Sequence, residues 1–330
     1  MRIVYFFRKK AQGRFSIEGV FSIIQKSLPY NITICTKTMK YGTSLFGMLY
    51  NCVFAFKNQE DINHITGDIH YVSFLLNRKR TILTIHDLEV LNRSTGLKRF
   101  IIKWIWYKLP CKFARYITVV SEFTKNQLVE ITKVDRGKII VIPNPFSKSL
   151  NFQEKMFDEN CPVILQIGTK ENKNIYNLAF ALENLNCELW IVGQLNQDQI
   201  LHFKTCCINY RVFQDLTDNE LATLYNKCDI VSFVSTYEGF GLPIIEANAI
   251  GRPVLTSSIS SMPEVANNAA ILVDPFDIED IKKGVLKIIK DSNLREMIIQ
   301  NGLINIKRFS AKSISDQYLK LYNMVLSTDF

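Results

Sequence analysis

Short apolar runs rich in β-branched and aromatic residues recur through the first half of the chain, at 2–7, 32–35, 52–56, 62–66, 81–85, 116–120 and 139–142. Runs of this length with little polar alternation mark strands covered on both faces, as in a parallel sheet. Stretches with helical spacing of apolar positions lie between several of them, at 16–28, 97–109 and 122–131. The alternation predicts βαβ units. Pro143-Asn144-Pro145 then breaks regular structure, and the polar stretch 147–160 has the composition of a linker. A second series begins beyond it, with strands expected at 163–167, 188–192, 230–234, 253–256 and 270–273 and helices at 174–185, 218–227, 243–250, 278–289 and 313–326. The pattern predicts two doubly wound α/β domains in tandem, which place a ligand cleft at the carboxyl ends of parallel strands.

A length of 330 residues is enough for two such cores. The 47% hydrophobic and 22% charged content is that of an ordinary globular protein and excludes a disordered or fibrous chain. No apolar run reaches the roughly 18 residues a transmembrane helix needs, and the N-terminal segment has no signal-peptide pattern, so a cytoplasmic location is expected. Eight cysteines lie scattered without metal-ligand spacing and read as buried free thiols.

The net charge of +9 is unevenly placed. No acid lies between Glu89 and Glu122, yet Arg93, Lys98, Arg99, Lys103, Lys108, Lys112 and Arg115 fall there among Phe100, Trp104, Trp106, Tyr107 and Phe113. Residues 93–115 read either as a core helix with solvated cations or as a surface for an anionic acceptor or membrane. No recognition motif accompanies the charge, so nucleic acid is not an expected partner.

The chemistry concentrates in Ser235-Thr-Tyr-Glu-Gly-Phe-Gly-Leu-Pro-Ile-Ile-Glu246. This segment leaves an apolar strand, turns through Gly239 and Gly241, and enters a helix with Pro243 in its first turn. Such a turn aims backbone amides and a helix N-terminus at the cleft, a setting for phosphate. Glu238 in the loop and Glu246 a turn into the helix can face one ligand at different depths, as carboxylates that grip vicinal hydroxyls; helix capping or a solvated face is the plain alternative.

The spacing of Glu238 and Glu246, with Tyr237-Glu-Gly-Phe-Gly-Leu-Pro243, Gly251-Arg-Pro-Val254, Met262-Pro-Glu-Val265 and Leu272-Val-Asp-Pro275, closely resembles glycosyltransferase family 4, the retaining group 1 glycosyltransferases of GT-B fold. The resemblance implies two Rossmann-like domains facing each other across a cleft: an acceptor-side domain at 1–150, a nucleotide-sugar domain at 151–312 and a terminal helix at 313–330 crossing back to the first. It implies that Glu246 binds the donor ribose, that Glu238 contacts the donor sugar, and that the amides of Gly239, Phe240 and Gly241, with Leu242, border sugar and diphosphate. Ile167-Gly168-Thr169-Lys170-Glu-Asn172-Lys173 resembles the family's glycine turn and basic pair on the diphosphate. Lys173 matches the lysine, and Asn172 stands where the arginine would, which leaves Lys170 as a substitute cation. Thr84-Ile-His86-Asp87 resembles the strand-end histidine beside the reacting sugar, so His86, Glu238 and Lys173 are the expected catalytic group.

On the acceptor side, Glu18 corresponds to the glutamate of the family's Gly-Gly-x-x-Glu loop, with Gly13 the only glycine shortly before it, and Asp68 and His70 lie in a second acceptor loop that reads equally as structural. Phe213 falls where the family's chain passes the nucleotide base. The expected partners are a UDP- or GDP-sugar donor and a saccharide or lipid-linked saccharide acceptor, in surface polysaccharide synthesis, with no metal or other cofactor. The absence of Gly-x-Gly-x-x-Gly after the first strand argues against a nicotinamide dehydrogenase. A non-catalytic sugar-nucleotide binder of the same fold remains the alternative.

Overall fold

The computed structural model describes residues 1–9, 16–147 and 150–327. They form two compact units, one of Met1–Pro145 with Ser310–Phe330 and the other of Phe146–Phe309. The sequence boundaries at 150 and 312 thus shift to the segments before Phe146 and before Ser310.

The first unit is built on six parallel strands, β1 (Arg2–Phe7), β2 (Thr33–Thr38), β3 (Ile62–Ile65), β4 (Thr81–Ile85), β5 (Tyr116–Val119) and β6 (Ile139–Val141), in the order β2-β1-β3-β4-β5-β6. Strands β1 and β4 are buried almost end to end, as expected where helices cover both faces. The run at 52–56 is a correction. It lies inside the helix Leu45–Lys57, capped by Ser44, whose side chain accepts from the Gly47 amide. A run of apolar residues carries no period that separates strand from helix, and here the capping residue and the helix length decide.

The expected helix at 97–109 is also modified: Gly96–Ile102 continues into a wide-turn stretch Lys103–Lys108 and then Leu109–Phe113. Pro110 has no N–H to offer the carbonyl of Trp106 one turn back. The His70 imidazole supplies the missing donor, with Nδ1–H to Trp106 O at 2.6 Å.

The C-terminal helix Ala311–Leu326 belongs to this unit. The Tyr322 hydroxyl lies 2.9 Å from the Tyr5 hydroxyl and 2.9 Å from His64 Nδ1. His64 Nε2 is 2.7 Å from Thr84 Oγ1, which lies 2.6 Å from Thr118 Oγ1. This buried chain satisfies every polar group it contains and ties the helix to four strands. Burial depresses the His64 pKa to about 3, so the ring stays neutral.

The second unit repeats the plan with β7 (Val163–Ile167), β8 (Glu188–Val192), β9 (Tyr210–Phe213), β10 (Ile230–Phe233), β11 (Val254–Ser257) and β12 (Ile271–Val273), in the order β12-β11-β10-β7-β8-β9. Residues 150–160 carry no helix or strand, as the linker reading expects, but they are fastened to this unit. The buried Asp229 carboxylate pairs with Lys155 and accepts from the amides of Asp158 and Val163. Both sheets reverse their strand order once, between β1 and β3 and between β10 and β7, and such switch points open crevices at the carboxyl edge.

Candidate active site

In the second unit the switch point separates two loops that the sequence had singled out. After β7 the backbone turns at Gly168, with φ of +89°, where a Cβ would stand 3.0 Å from Lys173 Cε. The missing side chain lets the Lys173 stem fold back along the strand end. Asn174, also left-handed, ends the short turn Glu171–Lys173, and its side chain donates to Val234 O and Pro275 O. The loop is thereby tied to the end of β10.

Lys173 Nζ reaches Glu238 Oε1 at 2.6 Å and lies 4.6 Å from the centre of the Phe233 ring. Asn172 Nδ2 donates to the same carboxylate oxygen at 3.1 Å and to Tyr237 O at 3.0 Å. The lysine and glutamate side chains are 18% and 17% exposed, so the pair is largely desolvated yet reachable from solvent. Asn172, which replaces the arginine of the family pattern, thus acts as a neutral clamp on Glu238.

Ser260 and Ser261 hold the other side of the glutamate loop. Ser260 Oγ accepts from the Glu238 amide at 3.1 Å, and Ser261 Oγ donates to Phe240 O at 2.7 Å. Gly241, with φ of +119°, caps the helix Leu242–Ile250 without a side chain, and an added Cβ would meet Ile244 Cδ1 at 3.0 Å. The first-turn amides of that helix therefore face the crevice with its positive dipole end. The Phe240 ring is buried against Phe309, so only its backbone is available to a ligand.

Glu246 lies half-buried one turn into this helix, and its Oε2 accepts from the Tyr225 hydroxyl at 2.7 Å. Burial raises its pKa, the tyrosine bond opposes that rise, and Asp218 adds to it. Thr169 Oγ1 donates to Gln194 O and joins the loops after β7 and β8. Phe213 ends the edge strand β9, about 10 Å from β7 at the usual strand spacing of ~4.8 Å. Its ring packs 5.4 Å from Trp190 and stays half-buried. Lys170 is exposed, and no short contact ties it to Glu238.

The first unit collects its own candidates at its own switch point. Gly67, with φ of +148°, leaves room for the His86 ring; a Cβ there would stand 2.8 Å from His86 Cδ2. Since a carbonyl only accepts, the 2.8 Å bond between His86 Nε2 and Thr66 O places the proton on Nε2 and leaves Nδ1 as an acceptor. Burial lowers the His86 pKa, which keeps the imidazole neutral at physiological pH.

Arg8, which the sequence reading passed over, is the hub of this group. It pairs with Asp68 and donates to Glu18 Oε1 at 3.3 Å. Burial pushes the Asp68 carboxyl upward, but Arg8, His70 and His86 outweigh it and hold the group below its usual range. Among the described residues, Glu18 Oε2 is buried without a partner. Gly13 lies outside the described residues. His70 requires correction as an acceptor candidate: it is 3% exposed, with a pKa depressed to about 4 by burial, and serves Trp106 O as described above. Sequence proximity to Asp68 did not reveal that the Trp106 carbonyl, which the N–H-less Pro110 cannot serve, takes the His70 N–H.

Two family models match the chain in succession: "Glycosyltransferase Family 4" over residues 48–149 and "Glycosyl transferases group 1" over residues 147–303. The chain is 27% identical to the O-antigen chain mannosyltransferase B of Escherichia coli, over 75% of this chain and 71% of that protein. The solved sucrose-phosphate synthase of Thermosynechococcus elongatus superposes with a TM-score of 0.82 at 17% identity, covering 99% of both chains. Anabaena Alr3699/HepE, solved in complex with UDP and glucose, gives 0.78 at 17% identity, over 98% of this chain and 100% of that one. These structural likenesses establish the GT-B fold. The loop and helix that carry Glu238 and Glu246 at the second switch point lie within the group 1 match, and the chain belongs to glycosyltransferase family 4, the group 1 glycosyltransferases.

Proposed function

We propose that this glycosyltransferase moves a hexosyl group from a UDP- or GDP-sugar to a saccharide or lipid-linked saccharide, with retention at the anomeric carbon, in the assembly of a surface polysaccharide. The observation that carries the reading is the Lys173, Asn172 and Glu238 cluster beside the N-terminus of helix Leu242–Ile250. Without donor, the lysine charge is held by Glu238. A bound diphosphate offers Lys173 a second anionic partner, which frees Glu238 to accept from sugar hydroxyls. Charge that grows on the departing diphosphate then meets Lys173 and the helix dipole, so both favour the transition state over the ground state.

Glu246, oriented by Tyr225, is suited to a ribose diol, and Phe213 to one face of the base. Neutral His86, with Nδ1 free to accept, is suited to a sugar hydroxyl, and Arg8, Glu18 and Asp68 to the acceptor. Lys173 and the helix terminus supply the positive charge a divalent cation would otherwise bring, so none is required. The E. coli relative is named for mannosyl transfer to an O-antigen chain, which puts mannose first among sugars to test. Residues 93–115 expose Leu97, Phe100 and Ile101 beside Lys98 and Arg99, a composition suited to an acidic membrane surface where a lipid-linked acceptor resides.

The test is release of nucleoside diphosphate from a panel of UDP- and GDP-sugars, with and without lipid-linked saccharide, and NMR assignment of the product anomer. Donor-dependent release with the anomer retained supports the reading. Binding without any turnover or slow hydrolysis across the panel refutes it in favour of a non-catalytic binder.

A further inference from the structure

The loop that carries Glu238 is gripped from the side of β11 by three serine hydroxyls. Ser257 Oγ donates to Ser235 O at 2.6 Å, Ser260 Oγ donates to Glu238 O at 2.7 Å, and Ser261 Oγ donates to Phe240 O at 2.7 Å. The Glu238 amide in turn donates to Ser260 Oγ at 3.1 Å, so one hydroxyl holds both main-chain groups of that residue. Ser260 does this from a left-handed backbone, with φ of +63°, that residues bearing a Cβ seldom adopt. Such strain persists only where the surroundings hold it, and it gathers at functional sites.

The serines set which way the neighbouring amides point. No peptide bond among the described residues is cis, and in a trans peptide the carbonyl and the N–H of one plane point in opposite directions. The peptide between Tyr237 and Glu238 follows this rule: its carbonyl accepts from Asn172 Nδ2 at 3.0 Å and its N–H reaches Ser260 Oγ. Asn172 and Ser260 therefore lie on opposite sides of the loop. Ser261 Oγ is 3.0 Å from Glu238 O, the carbonyl that Ser260 also takes, so both serines stand on one side. Because Glu238 O turns to Ser260, the N–H of Gly239 turns toward the side of Asn172. Because Phe240 O turns to Ser261, the N–H of Gly241 points the same way. Lys173 Nζ meets the Glu238 carboxylate from the loop of Asn172. Two amides and an ammonium thus face one side of the loop, and all three donate to an anion.

We propose that Ser260 and Ser261 are positioning residues, which aim the amides of Gly239 and Gly241 at the donor diphosphate by fixing the carbonyl at the other end of each peptide plane. The inference rests on the placement of the donor at this loop in the function proposed above, and adds two side chains that touch neither sugar nor nucleotide. The amides are turned before a ligand arrives, so nothing has to reorganise as charge grows on the leaving group.

Ser260→Ala removes the hydroxyl and keeps the strain, whereas Ser260→Gly removes the hydroxyl at a residue that adopts positive φ freely. Both should lower kcat about tenfold or more with donor KM within about threefold of wild type, although the glycine variant melts at the higher temperature of the two. A kcat that follows the melting temperatures, with Ser260→Gly as fast as wild type, assigns Ser260 to the fold alone and overturns the proposal. A second readout needs no turnover. Phe240-Gly241 is one of two Phe-Gly steps in the chain, with Phe46-Gly47, so carbonyl-labelled phenylalanine combined with nitrogen-labelled glycine isolates the Gly241 amide by NMR. Saturation with UDP or GDP should move that amide proton downfield, by less than half as much in Ser261→Ala and undiminished in Ser261→Thr, which keeps the hydroxyl. No movement in wild type with either nucleotide, or an equal movement in Ser261→Ala, overturns the proposal. A wild-type chain that gives the serine-dependent movement yet turns over no donor supports the positioning role while refuting the transfer reaction.

Discussion

Replacing Tyr225 by phenylalanine probes the proposed nucleotide grip with the smallest change available. The ring is fully buried and stays in place; only the hydroxyl that donates to Glu246 Oε2 at 2.7 Å is lost. A hydrogen bond to a charged group contributes about 1.5 to 3 kcal/mol, and we take the lower value because both carboxylate oxygens stay available to the diol in the variant. That value corresponds to about a tenfold rise in donor KM, with kcat nearly unchanged, because a ribose contact is alike in ground and transition states. The pH dependence has a definite sign. Burial already raises the Glu246 pKa and the tyrosine bond is the influence that lowers it, so the variant carboxyl moves further up. A protonated Glu246 is a poorer acceptor for the diol. Nucleoside diphosphate affinity of the variant therefore declines sooner than that of wild type as pH falls from about 8 toward 5. Isothermal titration of UDP and GDP across that range measures both effects. Equal affinities at every pH, or a loss of kcat with donor KM unchanged, would refute the assignment of Glu246 to the ribose.

Lys173→Met removes the cation beside Glu238 and should lower kcat about 10²- to 10³-fold, as loss of one preorganised charge-stabilising donor does, while Asn172→Ala, which leaves the charge, should cost far less; steady-state rates compare the two. His86→Ala should reduce turnover and leave nucleoside diphosphate binding by calorimetry intact, and equal loss of both would remove His86 from the sugar and assign it to the nucleotide. Excess chelator should leave transfer unchanged; abolition with rescue by manganese would show that Lys173 does not suffice. Acid stability should fall early, because the folded pKa values of His64 and His70, about 3 and about 4, lie below the unfolded one. The stability they confer is complete above pH ~6.5 and lost below it, about 2 kcal/mol for each by pH ~5, and denaturant melts with His64→Gln as control read the change.

Features carried by near neighbours were legible in the sequence. The alternation of apolar runs and amphipathic stretches gives βαβ order, because one strand and its crossover helix are set by local period and burial. The turn through Gly239 and Gly241 and the helix behind it are likewise local, so Glu238 and Glu246 could be named before any coordinates. Residues 52–56 were misread because an apolar run does not say how many of its faces are covered; in helix Leu45–Lys57 only one is, and the other is left to solvent. Partnerships across the sheet were illegible for a different reason. Lys173 meets Glu238 and Arg8 meets Asp68 over some sixty residues of chain, because strand order sets β7 beside β10 and β1 beside β3. Asn172, Tyr225 and Arg8 carry no motif of their own. They act on functional groups only because packing brings their donors within 3.5 Å, and His70 is claimed by Trp106 because Pro110 leaves that carbonyl bare. Local sequence fixes which residues can do chemistry; the order of strands and the need to satisfy every buried polar group decide which of them meet.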